Sequence, residues 1–593
     1  MSDANALGSL PEWDLDELYP GQESPELEAD LKRATEDADA FAKAHEGKLV
    51  GLDGAGLAAA IAAYERVDET LGRIMSYAGL VHAGNVSDPE IGRFYQTMQE
   101  RANAIGTKLL FFTLELNRIE EADLDARIAE SAELARYAPW LRDVRAMRPH
   151  QLSDEIEKLL YEKHVAGRAS WVRLFDETMA GLRFPYRGRD LSATEILNLL
   201  SDHDGTVRKE AAKSTGKVLG DNIRLFSLIT NTLAKDKEIE DRWRNFARPV
   251  SSRNLSNYVE DEVVDALVAA VKESYPRLSH RYYALKARWF GVKQLDYWDR
   301  NAPPPDEDDR IVPWNEARDT VLNAYGAFSE DLAGIGRKFF DNAWIDAPVR
   351  PGKASGAFAH PTVPSAHPYL LLNYQGKTRD VMTLAHELGH GVHQVLAGPQ
   401  GQLMADTPLT LAETASVFGE MLTFQAMLDA TDDAKSRRAM LASKVEDMIN
   451  TAVRQVAFYE FERKVHDARR EGELSAEQLS DVWFDVQGES LGPAIRFEVE
   501  YGHFWAYIPH FIHSPFYVYA YAFGDCLVNS LYSLYEDSGP DFVDKYFDML
   551  KAGGSLRHKE LLAPFGLDAT DPHFWLRGLG LVESFIDELE DLL

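Results

Sequence analysis

At 593 residues, with 45% hydrophobic and 11% aromatic side chains, the chain has the composition of a large globular protein with more than one domain. Its formal net charge of −33 argues against nucleic acid or an anionic membrane as partner, since both require basic patches. A single cysteine, Cys526, excludes an intrachain disulfide framework and a cysteine-rich zinc site.

Taken in chain order, the start "MSDANALGSLPEWDLDELYPG" lacks a basic stretch followed by an apolar run. It predicts no secretory signal and a cytoplasmic protein. "GLAAAIAAY" and "VVDALVAAV" are too short to cross a bilayer. Helical patterning dominates and predicts a mainly α fold. Ser192 with Glu195, and later Ser475 with Gln478, have capping-box spacing. Val263, Val264, Leu267, Val268 and Val271 recur at helical intervals. "NAPPPDEDD", residues 301 to 309, predicts a proline-rich acidic surface loop.

Strand signals cluster at "GAFAH" (356 to 360) and "YLLLNY" (369 to 374), joined through a proline-containing connection. Such a pair serves equally as a structural hairpin or as an edge that holds an extended peptide. A helix follows, with Asp380 expected as its N-cap and Leu384, Leu388, Val392, Val395 and Leu396 as its apolar stripe. Cys526, in the aromatic run "YAFGDCLVNSLY", is expected in the core. Residues 1–190 read as an N-terminal helical region, and 191–593 as a larger helical domain holding the small sheet and the chemistry.

That chemistry sits in "TLAHELGHGVHQ", residues 383 to 394. His386 and His390 are one helical turn apart, as two zinc ligands on one face must be, and Glu387 lies beside them as a base. A third ligand is needed. Position 396, where another histidine would continue one known pattern, is Leu396. Glu413, in the apolar run "LTLAETASVFGEML", is a carboxylate that would be costly to bury without a partner. Glu420, seven residues on, could orient a histidine. His393 is the rival ligand, disfavoured because three ligands from one helix would have to converge on one point. Downstream, "HFWAYIPHFIHSPFYVYAYAFG" concentrates His503, His510, His513, Tyr507, Tyr517, Tyr519 and Tyr521, donors of the kind that stabilise an oxyanion.

"GKASGAF", "HPYLLLNY", "TLAHELGHGVH", "AETASVFGE" and "IPHFIHSPFYVYAYAFG", in this order, resemble the oligoendopeptidase F branch of the thimet-oligopeptidase family of zinc metallopeptidases. The resemblance is strongest over residues 350 to 525, and "ASWVRLFDE" extends it into the N-terminal half. It implies a multi-helical, clam-like metallopeptidase with a deep central cleft and a small β-sheet beside the zinc-binding helix. It further implies one Zn2+ per chain held by His386, His390 and Glu413, with Glu387 as general acid/base. His510 and Tyr517 would stabilise the oxyanion, Tyr519 and Tyr521 being reachable by a small shift of alignment. Substrates would be short unstructured peptides cut at internal bonds. A carboxypeptidase or dipeptidyl carboxypeptidase on a similar scaffold is the alternative. A non-catalytic peptide-binding protein is the reading from another class, and an intact Glu387 argues against it. The oligomeric state is left open, a monomer being compatible with the sequence.

Overall fold

The structure is a computed structural model that describes residues 7–164, 166–304, 310–539 and 541–592. The first six residues and residues 305–309 of the expected acidic loop lie outside the described residues. Helices carry most of the described chain, in keeping with the apolar spacing. Both capping boxes form. The Ser192 hydroxyl accepts from the Glu195 N–H at 3.3 Å, and the Glu195 carboxylate accepts in return from the Ser192 N–H at 2.8 Å. Ser475 and Gln478 do the same at 3.2 and 2.8 Å. The run from Val263 lies in helix Asp261–Ser274, which buries Val263, Val264, Leu267, Val268 and Val271. No helix among the described residues is long and apolar enough to cross a membrane.

Asp380 is a correction. The helix spans Thr378–Ala397 with Lys377 at its N-cap, which places Asp380 inside the first turn. From there its carboxylate reaches back to the Gln375 and Lys377 N–H groups at 2.8 and 3.0 Å. It thus satisfies donors that have no partner within the helix, and its charge suits the positive helix end.

The chain forms two compact units, each assembled from three stretches: Met1–Arg148, Asp309–Ala430 and Ser538–Gly566 in the first, Pro149–Asp308, Thr431–Asp537 and Leu567–Leu593 in the second. The boundary expected near residue 190 falls inside the second unit. Helix Arg168–Gly181 packs there on helix Ile223–Trp243, with the Phe175 and Phe226 rings 6.0 Å apart. Spatial contact, rather than continuity along the chain, defines the units.

In the first unit, helix Pro25–His45 presents Leu27, Leu31, Ala34, Ala38 and Phe41 to helix Gly54–Gly84. Phe41 meets Leu57, Ile61 and Phe112 in one core cluster, while Leu27 and Leu31 join Ile74, Tyr77 and Tyr369 in another. Tyr369 belongs to a three-stranded sheet in the order Ile345–Asp346, Tyr369–Leu371, Phe358–His360. The first pair is parallel and the second antiparallel, with Ala359 opposite Leu370. The strand signals at 356–360 and 369–374 are therefore borne out. The strand Ile345–Asp346 was not expected, because two residues cannot show an alternation.

Lys353 pins this sheet. Its fully buried ammonium reaches the Asp346, Pro348 and Leu372 carbonyls at 2.9, 2.9 and 2.6 Å and the Asp346 carboxylate at 3.1 Å. In the second unit, helices Asp261–Ser274 and Tyr519–Asp537 pack on helix Pro572–Asp591. Cys526 is buried there as a free thiol, as expected.

Candidate metal centre

Helix Thr378–Ala397 packs along helix Leu409–Asp429 in the first unit. Gly389 sets their separation. A β-carbon there would stand 2.5 Å from the Ala415 carbonyl oxygen and 2.6 Å from the Ser416 Cα, so only glycine permits this approach. Gly419 plays the matching part on the second helix. It leaves room for the Tyr325 hydroxyl, which donates to the Ala385 carbonyl at 2.6 Å. Leu384, Leu388 and Val392 are fully buried behind the histidines.

This crossing brings His386, His390 and Glu413 together, with one donor atom from each within 4.8 Å of the others. Glu413 Oε2 lies 3.3 Å from His386 Nε2 and 3.4 Å from His390 Nε2. Ligand bonds of about 2.0–2.1 Å in tetrahedral geometry place donors roughly 3.3 Å apart, so the three fit a zinc-sized cation. The Ser416 hydroxyl donates to the same Glu413 oxygen at 2.6 Å and fixes its aim. Glu420 Oε2 stands 3.2 Å from His386 Nδ1, which leaves Nε2 for the metal. His393 is turned elsewhere. It is buried, with its Nε2 3.3 Å from the Thr407 hydroxyl.

Charge supports the same fit. Burial works against protonating His386, but hydrogen-bonded Glu420, with Glu413 and Glu387, outweighs it and lifts His386 up to about 9. Burial takes His390 and His393 down to about 4. The protein thus gathers three carboxylates around one imidazole, surroundings that favour a cation. Glu387 is only 8% exposed. Burial pushes it up to about 7, against the opposing pull of His386 and a hydrogen bond from the Ala359 N–H. That contact joins Glu387 to the edge strand Phe358–His360.

In the second unit, the expected oxyanion donors sort by environment. Tyr519 is fully buried and its hydroxyl accepts from Asn257 Nδ2 at 2.9 Å. Tyr521 is 37% exposed, with its hydroxyl 3.3 Å from His510 Nε2. The Tyr517 ring is 6.0 Å from His510 and 5.3 Å from Tyr521. His503 Nδ1 is 3.0 Å from the Gly216 carbonyl, and His513 Nε2 is 2.7 Å from Asp176. His510, Tyr517 and Tyr521 form one cluster.

Sequence reasoning missed Ser416, Gly389 and Tyr325. For Ser416 the spacing of three from Glu413 is visible, but its aim at Oε2 shows only in the fold. For the others nothing local distinguishes a close approach from an ordinary helix position.

Residues 198–581 match the family model described as Peptidase family M3, and residues 115–184 match Oligopeptidase F. The chain belongs to peptidase family M3. It is a metalloendopeptidase that hydrolyses peptides. It is 28% identical to oligopeptidase PepF of Bacillus subtilis, over 100% of this chain and 89% of that one. It is 27% identical to the group B oligopeptidase PepB of Streptococcus agalactiae, over 98% and 97%. The fold matches that of oligoendopeptidase-F from Enterococcus faecium with a TM-score of 0.72 at 23% identity, covering 96% of this chain and 98% of that one.

Proposed function

We propose that this M3 peptidase is a zinc oligoendopeptidase that cuts internal bonds of short, extended peptides, with one zinc per chain. The observation that carries this reading is the crossing that sets Glu413 Oε2 3.3–3.4 Å from His386 and His390 with Glu387 adjacent. Zinc, when bound, supplies Lewis acidity that lowers the pKa of a water toward neutrality and polarises a carbonyl. Glu387 accepts the proton of the attacking water and delivers it to the leaving amine. A carboxyl that burial already pushes up to about 7 suits both halves of that exchange. Glu420 holds the His386 ring and Ser416 holds Glu413.

Phe358–His360 is the outer strand of its sheet, pairing with Tyr369–Leu371 alone among the described residues. An extended peptide laid along it would take over main-chain groups now held by side chains, the Ala359 N–H by Glu387 and its carbonyl by Gln394 at 3.4 Å. A folded protein has no free backbone groups to offer, because its own are already paired. The substrates are therefore flexible peptides. The fold needs no disulfide, its one cysteine being buried, and the proposed compartment is the cytoplasm.

Digestion of an end-blocked peptide library and of a stably folded protein, with metal analysis before and after chelation, tests this. Internal cleavage of blocked peptides, one zinc per chain and a resistant folded protein are expected. Cleavage confined to peptides with a free C-terminus would mean a carboxypeptidase.

His510 and Tyr517 are proposed as the oxyanion donors, with Tyr521 as the neighbour that can take the phenol's part. Loss of the right donor lowers kcat by about a hundredfold or more with zinc retained. If Tyr517→Phe turns over normally and Tyr521→Phe does not, the role moves to Tyr521.

A further inference from the structure

The second unit holds a cavity of about 30 Å3 with a polar lining that includes two arginines. It is bounded by Tyr297, Arg300, Arg454, Trp483, Gln487 and Tyr507, among others. Three of these carry buried polar atoms with no hydrogen-bond partner in the protein: the Tyr297 hydroxyl, the Trp483 indole nitrogen and Gln487 Nε2. The residues are 5%, 2% and 3% exposed. Trp483 and Gln487 are four apart on helix Ala476–Leu491 and so share a face. The Gln487 amide is oriented by its other end. The Tyr501 hydroxyl donates to Gln487 Oε1 at 3.0 Å, which leaves the NH2 as the free group.

Two guanidinium groups complete the lining. Arg300 donates to Asn450 Oδ1 at 3.2 Å, and Arg454 reaches the Tyr507 hydroxyl at 3.5 Å while lying 4.9 Å from the Phe458 ring centroid. Among the described residues no ion pair is formed by either. The carboxylates nearby are engaged, except that the second oxygen of Glu500 is buried without a partner. Asp299 accepts from Arg208 at 2.6 Å, Glu446 accepts from Lys286 and Tyr282 at 2.8 Å each, and Glu498 and Glu500 hold Lys213. Burial, and then the positive charge of Arg300, hold Arg454 below its ordinary range. At Arg300 burial is outweighed by Tyr283, Tyr501, Tyr507 and Glu446, which hold it above its own.

Two like charges sharing one partly buried wall favour a counter-charge. A lone water could donate to the Tyr297 oxygen, but the Trp483 and Gln487 N–H groups, like the two guanidinium groups, ask for an acceptor. An anion needs only donors. We propose that this cavity is a binding site for a small monovalent inorganic anion of chloride size. Arg300 and Arg454 balance its charge, while Tyr297, Trp483 and Gln487 direct O–H and N–H groups at it. The bound ion ties the segment Tyr297–Asn301 to helices Val453–Glu471 and Ala476–Leu491, so anion binding stabilises the second unit.

The test uses the full-length protein exchanged into sodium gluconate, whose anion is too large for the cavity. Thermal unfolding is followed as gluconate is replaced by chloride, and separately by bromide, at constant ionic strength. A saturable rise in Tm with both halides is expected, together with an anomalous bromide peak between Arg300 and Arg454 in soaked crystals. Tyr297→Phe removes one donor and should raise the half-saturating chloride concentration roughly fivefold. Gln487→Glu places a carboxylate in the cavity and should abolish the response. Arg454→Met should also abolish it, and if that variant does not fold the other two still decide. Identical Tm values in gluconate and halide, with no bromide peak, would overturn the proposal. So would a chloride response left unchanged by both Tyr297→Phe and Gln487→Glu.

Discussion

In the proposed mechanism Glu387 and the three candidate ligands differ in what their loss should do, because only Glu387 would handle protons without holding the metal. Glu387→Gln keeps the shape and removes the base, so turnover should fall by about 10²–10⁴-fold while zinc stays bound. His386→Ala, His390→Ala and Glu413→Ala should each empty the site. His393→Ala should not, since its ring faces Thr407. Metal quantification beside turnover reads all five variants. A zinc-free Glu387→Gln, or a filled site in Glu413→Ala, would reassign the ligands. The histidine pair and its glutamate are legible in the sequence because their spacing is local. Glu413 is legible as a carboxylate in an apolar helix. Ser416, which aims it, makes its case only through the third dimension.

The two crossing helices act as one device. Gly389 lets their backbones approach, and a methyl group there would have to push the Ala415 carbonyl away. Overpacking of this kind costs about 1–3 kcal/mol, and here it would act on ligand spacing. Gly389→Ala should therefore keep its helical circular dichroism while its zinc affinity falls by about tenfold or more, as read by competition with a chromogenic chelator. Unchanged affinity would show that the helices can separate without moving Glu413. The helix with its histidines can be read from periodicity, but the glycine's reason cannot, because it depends on a neighbour more than twenty residues away. The same holds for Lys353. Its motif "GKASGAF" is visible, yet the carbonyls it binds come from strands joined only in the folded sheet.

At the scale of the whole molecule, one buried acid gives stability a pH signature. Glu462 is 2% exposed, accepts from the Phe516 N–H at 2.8 Å, and has a second oxygen without a partner. Burial pushes it up to about 8, despite that hydrogen bond and the charges of Arg253 and Lys237. The folded state thus holds a proton that the unfolded chain releases near the ordinary carboxyl range. Its contribution is complete at pH below that range and is lost as pH rises through about 8. Glu462→Gln is neutral throughout, so its stability relative to the parent should improve from pH 5 to pH 9, by an amount on the order of a few kcal/mol. Urea unfolding of both proteins at the two pH values measures this, and a constant difference would mean the carboxyl titrates normally. The mainly α class could be read from helical spacing. The interleaved units could not, because no change of composition marks where the chain leaves one for the other.

That interleaving bears on how the protein is made. The first unit needs residues from Met1 up to Gly566 and the second needs Leu567–Leu593, so each waits for the last part of the message. At about 5–20 residues per second, a ribosome takes on the order of half a minute to two minutes to supply them. Neither unit can close while the nascent chain is still short, and helices finished early must wait with apolar faces uncovered. Such a chain offers no simple cut that yields two self-sufficient halves.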